Sequence, residues 1–115
     1  MISNFSGKTA VLTGAASGFG LECARMAAAH GMNLVLVDVQ TDALAQAEAE
    51  LSAACAAHGA AVLARKVDVS NAAAMEALAA EVVARFGAPH FVFNNAGVAS
   101  GGLVWENSVA DWEWV

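Results

Sequence analysis

The chain contains no tyrosine, one proline, two cysteines and three histidines among its 115 residues. Without tyrosine, no phenolic hydroxyl of this chain can pass a proton. Basic residues are scarce: five Lys plus Arg against eleven Asp plus Glu give a formal net charge of −6. Nucleic-acid binders carry basic patches, and five scattered cations do not make one. The same balance excludes a polybasic membrane anchor. A phosphate ligand would have to be held locally by backbone N–H groups. Cys23 and Cys55 belong to no CxxC pattern and read as two buried thiols of a reducing compartment. The histidines lack metal-ligand spacing, so no metal site is expected; His30 and His58 each precede a glycine, and His90 adjoins Pro89. No apolar run approaches the ~18 residues of a membrane span. Met1 to Lys8 lacks the charged-then-apolar pattern of a signal peptide, which leads to a cytoplasmic expectation.

Hydrophobic residues make up 58% of the chain and charged residues 14%, which argues for a packed core and against disorder. The length suits one domain, taken as residues 1–115. Strands are predicted at Thr9 to Thr13, Asn33 to Val37, Ala60 to Lys66 and Phe91 to Asn94. Helices are predicted at Gly18 to His30, Asp42 to Ala57 and Asn71 to Phe86. In the last of these, Met75, Leu78, Val82 and Phe86 recur at helical spacing, and Glu81 and Arg85 form an i,i+4 pair. Ser70 is positioned to N-cap it. Gly31, Gly59 and Gly87 each follow a helix, and the differences 59 − 31 and 87 − 59 are both 28. That is one strand–helix unit per period, close to the ~30 residues of a βαβ element. Alternating strands and helices imply a parallel sheet covered on both faces.

The segment Thr13-Gly14-Ala15-Ala16-Ser17-Gly18-Phe19-Gly20 joins the first strand to the first helix. Such a turn aims free N–H groups and the positive end of the helix dipole at one spot, and glycines let a pyrophosphate approach. The spacing is Gly-x-x-x-Gly-x-Gly, which departs from Gly-x-Gly-x-x-Gly. A glycine-rich turn without a ligand is the plain alternative. Asp38 ends the second strand 24 positions after Gly14 (38 − 14), near the ~20 expected of a carboxylate that grips an adenosine ribose. It would repel a 2′-phosphate, and Val39 and Gln40 bring no cation beside it. NAD is therefore expected over NADP. A strand-end carboxylate capping a turn is the alternative. Asp68-Val69 ends the third strand, where Asp68 could receive an adenine amino group; a loop aspartate before a helix cap is equally compatible. Asn94-Asn95-Ala96-Gly97 ends the fourth strand with asparagines that can brace loops and small residues that leave room for a flat ligand.

TGAASGFG, Asp38, Asp68-Val69 and NNAG occur in one order at one set of spacings, and together they resemble the short-chain dehydrogenase/reductase family from about Phe5 to Val115. The resemblance implies a Rossmann-type doubly wound α/β fold, here about four strands in the order 3-2-1-4. It implies that Gly14, Ser17, Gly18, Phe19 and Gly20 contact the pyrophosphate. Asp38, with Val39 beside it, would hold the adenosine ribose, and Asp68 and Val69 the adenine. Asn95, Ala96 and Gly97 would line the remaining ribose path, with Asn94 stabilising the sheet.

Family members use a Tyr, a Lys four residues later, a Ser and an Asn to transfer hydride between nicotinamide and an alcohol or carbonyl. None of these has a match here; Lys8 and Lys66 lie in the wrong half, and Ser100 is not the family Ser. The resemblance thus implies a cofactor-binding half, with catalytic groups beyond Val115 and no turnover by this chain alone. The full-length form is expected to be a homo-oligomer acting on a small alcohol or carbonyl, away from nucleic acid and membrane. A non-catalytic nucleotide-binding or interaction module is the rival, and a ligand-free α/β domain a third reading. Trp105, Trp112 and Trp114 read as core or interface packing, with Trp105 the best candidate for a substrate wall. Arg25 and Arg65 read as solvated surface charges. An exposed fourth strand would be an apolar edge prone to aggregation.

Overall fold

A computed structural model describes residues 2–115. Four strands form one parallel sheet: β1 (Thr9–Thr13), β2 (Asn33–Asp38), β3 (Val62–Lys66) and β4 (Phe91–Phe93), in the order β3-β2-β1-β4. Between them run α1 (Gly18–Ala29), α2 (Thr41–Ala56) and α3 (Ala72–Phe86), and a short α4 (Val109–Trp114) follows β4. The strand order is the expected one.

Side-chain alternation on the strands sorts the core into two layers. Ala10, Leu12, Leu34 and Leu36 face α1 and α2, where Ala24, Ala28, Leu44, Leu51 and Cys55 meet them. Val11, Val35, Val37 and Leu63 face α3, where Leu78 and Val82 meet them. Helices on both faces explain why β1 is buried at all five residues. Small alanines on the inner side of α1 let that helix sit close to the sheet. Gly31, Gly59 and Gly87 all adopt positive φ (75°, 69° and 76°), as a glycine after a helix end should.

Several expectations shift locally. β3 starts at Val62, because the Ala60 N–H donates to the Cys55 carbonyl and the Ala61 N–H to the Asn33 side chain instead of a ladder. It stops at Lys66, before Asp68-Val69, and β4 stops at Phe93, where the Asn95 N–H turns back to the Phe93 carbonyl. The N-cap of α3 is Asn71 and not Ser70: Asn71 Oδ1 accepts from the Ala74 N–H at 3.0 Å, while the Ser70 hydroxyl is turned to Asp68. The partner of Glu81 is Arg65 on β3, whose guanidinium fork reaches both carboxylate oxygens; Arg85 lies instead over the Phe86 ring at 4.9 Å. Arg25 likewise pairs with Glu22 and Glu50 at the surface. Cys55 is buried as expected, but Cys23 is half-buried. β4 pairs with β1 alone, and Phe91 and Val92 are exposed along its edge. No helix of the described residues is long and apolar enough to cross a membrane.

Candidate functional site

The turn after β1 is built by two close approaches. Gly14 has φ +64°, and a Cβ there would stand 2.9 Å from Asn95 Nδ2. Gly20 is buried, and a Cβ on it would stand 2.1 Å from the Gly14 carbonyl oxygen. These two glycines let α1 begin directly against β1. Gly18 also has positive φ (+54°), yet nothing lies within 4 Å of where its Cβ would be. Its outer side is open space. Ser17 caps α1 with extended backbone but makes no side-chain cap bond, and the first intrahelical bond runs from the Leu21 N–H to the Ser17 carbonyl. The N–H groups ahead of Leu21 therefore have no acceptor within the helix.

The carboxyl-terminal ends of all four strands open into one cleft of about 780 Å³. The turn after β1 and the start of α1 contribute Gly14, Ser17, Gly18 and Phe19; the end of β2 and the residue after it contribute Asp38 and Val39; the stretch after β3 contributes Asp68 and Val69; the stretch after β4 contributes Asn95, Ala96 and Gly97. Gly20, grouped with these from the sequence, does not line the cleft. It lies beneath, packed on Gly14, where its lack of a side chain permits the helix–strand contact.

Asp38 carries two duties. Its Oδ2 accepts from the Ala16 N–H at 3.0 Å and its Oδ1 from the Gln40 N–H at 2.9 Å, so it braces the glycine turn and its own exit from β2. The turn-capping role and the position in the cleft coexist. Asp68 Oδ1 accepts from both the N–H and the hydroxyl of Ser70, at 2.9 and 2.7 Å. Those bonds, the hydroxyl first, hold its carboxyl below the usual carboxylate range. Among the described residues no Lys or Arg lines the cleft, while Asp38, Asp68 and Glu113 do. Lys66 is in register with Asp38 on the neighbouring strand, but it is exposed and outside the cleft lining.

Two assignments change. The asparagine that ties β4 to β1 is Asn95: its Nδ2 donates to the carbonyls of Thr13 and Gly14 at 3.1 and 3.4 Å. Asn94 is exposed, because the turn at Phe93 directs the next residue inward in its place. Trp105 is 79% exposed and away from the cleft, whereas Trp114 lines it. Sequence reasoning missed Val37, Gln40, Val67, Ser70, Val98, Glu113, Trp114 and Val115 in the lining. Adjacency to Asp38 and Asp68 could have flagged Gln40 and Ser70. Ser108-x-x-Asp111 marks the start of α4 in the sequence, but that this helix reaches the cleft is decided by the path of the chain after Gly97. Among the described residues no three His, Cys, Asp or Glu side chains gather as a metal site would require.

Comparison with known proteins fits this geometry. The sequence model of the family described as short chain dehydrogenase matches residues 8–115. A CLA biosynthesis dehydrogenase/reductase of Lactiplantibacillus plantarum is 35% identical over 99% of this chain and 38% of its own length. A short chain dehydrogenase/reductase from Burkholderia phymatum, crystallised in complex with NAD, superposes with TM-score 0.89 at 49% identity, over 99% of this chain and 39% of that one. L-sorbose reductase from Gluconobacter frateurii, complexed with NADPH and L-sorbose, gives TM-score 0.85 at 35% identity, over 99% and 42%. The chain thus spans well under half the length of these relatives. With the matched residues running through all four strands and the cleft they end in, the chain belongs to the short-chain dehydrogenase/reductase family.

Proposed function

We propose that this chain is the dinucleotide-holding part of an oxidoreductase, and that it takes NAD in preference to NADP. The observation that carries the reading is the convergence of Gly18, Asp38, Asp68 and Asn95, from four strand ends, on one cleft. The residues present fit such a group. Open space over Gly18, beside helix N–H groups without acceptors, suits a pyrophosphate. Asp38 retains lone pairs for ribose hydroxyls beyond the two backbone bonds it accepts. The absence of a lining cation, with three carboxylates around the cleft, favours a ribose without a 2′-phosphate. Val39 and Val69 offer apolar surface to a base, and Ala96 and Gly97 leave space along the remaining path.

When bound, the nicotinamide supplies the hydride acceptor or donor for an alcohol or carbonyl carbon. The residues of this chain bind and orient it; none provides the family's tyrosine proton. The 115 residues are read as one dinucleotide-binding unit that carries no turnover alone. The match to about 39% of the NAD-bound relative supports that reading. The expectation of a homo-oligomer for a longer form rests on family resemblance.

Calorimetric titration of the chain with NAD and NADP tests the proposal. NAD should bind several-fold more tightly. Asp38→Asn, which keeps an acceptor for the Ala16 N–H, should narrow the gap. Equal affinity of the unsubstituted chain for both cofactors would remove the NAD assignment, and binding of neither would remove the reading.

A further inference from the structure

We propose that Trp114 is an aromatic wall for the base end of the nucleotide, a role that rests on the reading of the cleft as a dinucleotide site. The cleft changes character along its length. At the β1 and β4 ends it presents glycines, an alanine and backbone, suited to phosphates and sugar, beside the exposed side chains of Phe19 and Val98. At the β2 and β3 ends it presents Val39 and Val69, which are 48% and 41% exposed. Exposed apolar side chains grouped in a cleft mark a surface meant to be covered. Val39 and Val69 offer apolar surface to one face of a flat ring, and the ring's other face is free for a second side chain of the lining.

Among the described residues two aromatic rings line the cleft, Phe19 and Trp114. Phe19 opens α1 beside Gly18 and so belongs to the anion end. That leaves Trp114, 65% exposed on the last turn of α4. No residue of α4 is buried, so the core does not dictate the indole's position. What holds the helix is a capping box, in which Ser108 Oγ accepts from the Asp111 N–H at 3.2 Å and the Ser108 N–H donates to the Asp111 carboxylate at 2.8 Å. An exposed indole on a helix with no buried residue can settle onto a ring in the cleft without disturbing the core. Its π-face would stack on adenine, as aromatic side chains do with any base.

The test uses AMP, nicotinamide mononucleotide and NAD as probes. AMP should quench the indole fluorescence of the unsubstituted chain and of the double variant Trp105→Phe/Trp112→Phe, in which Trp114 is the one indole left; nicotinamide mononucleotide should not. Trp114→Phe should abolish the quenching but keep most of the affinity. Trp114→Ala should bind AMP about ten-fold more weakly, the loss expected of a removed base-stacking ring. Circular dichroism of each variant checks that it is folded. AMP affinity unchanged in Trp114→Ala, or quenching that survives in Trp114→Phe, overturns the wall and leaves the cofactor site standing if NAD still binds. An unsubstituted chain that binds no NAD overturns both.

Discussion

Asn95 donates twice to Thr13: its N–H to the Thr13 hydroxyl at 3.0 Å and its side-chain amide to the Thr13 carbonyl at 3.1 Å. The same hydroxyl also accepts from the Ala96 N–H at 3.0 Å. The end of the central strand and the start of the NNAG turn are therefore one hydrogen-bonded unit, with Gly14 held beneath the Asn95 amide.

Asn95→Ala should cost about 1–2 kcal/mol of stability, because it leaves part-buried carbonyls of Thr13 and Gly14 without their donor. Asn94→Ala, at an exposed position, should change the stability little. Urea denaturation of the two variants separates them, and equal losses would contradict the assignment of the brace to Asn95.

Gly20→Ala and Gly18→Ala should fail differently. A methyl at residue 20 meets the Gly14 carbonyl, which is backbone and cannot step aside, so a loss of about 3 kcal/mol is expected. A methyl at residue 18 meets nothing, and the cost is the left-handed backbone alone, about 1 kcal/mol. Thermal melts give the first comparison. NAD titration should show the reverse emphasis, with Gly18→Ala folded but weakened in binding. A Gly20→Ala protein as stable as the parent would refute the close-approach account.

Ser70→Ala should raise the pKa of Asp68. The hydroxyl of Ser70 is the largest cause of the depressed value, with its N–H second. Since the folded-state pKa is lowered, the interaction stabilises the folded chain at pH above the ordinary carboxylate range. It is lost as pH falls through the depressed value. Carboxyl carbon chemical shifts followed by NMR against pH would report the change directly. An unmoved titration of Asp68 in the variant would rule out the hydroxyl as its cause.

His90→Ala should loosen the register between β1 and β4. His90 Nδ1 accepts from the Thr9 N–H at 3.1 Å while its own N–H donates to the Thr9 carbonyl at 2.9 Å, so one residue closes both bonds at the start of the pair. A loss of about 1 kcal/mol is expected. Faster amide hydrogen exchange at Thr9 should accompany it, and unaltered exchange there would argue against the clip.

The elements and the rim of the cleft were legible in the sequence because they depend on local signals. Apolar runs gave the strands, the spacing of Met75, Leu78, Val82 and Phe86 gave α3, and glycines marked helix ends. What escaped were choices decided across space. Asn94 and Asn95 are chemically identical in sequence, and only the turn after Phe93 decides which faces Thr13. Ser70 and Asn71 are both good caps, and the prior claim of Asp68 on Ser70 settles the matter. Glu81 had a cation one helical turn away in Arg85, yet the fork of Arg65 reaches it from a different element with two bonds. Trp105 and Trp114 differ in nothing that spacing measures; the course of the chain brings one to the cleft and leaves the other in solvent.

β1 is bonded to a strand on each side and buried at every residue, and the glycine turn grows straight out of it. The N–H groups that open α1 are thus rooted beside a strand held on both sides, while α4, whose last residues line the same cleft, has no buried residue. Warming should release the wall long before the floor. An incoming ligand would meet a preformed seat and an adjustable cover, so its entropic penalty would fall on a few residues near Trp114 and scarcely on the turn itself.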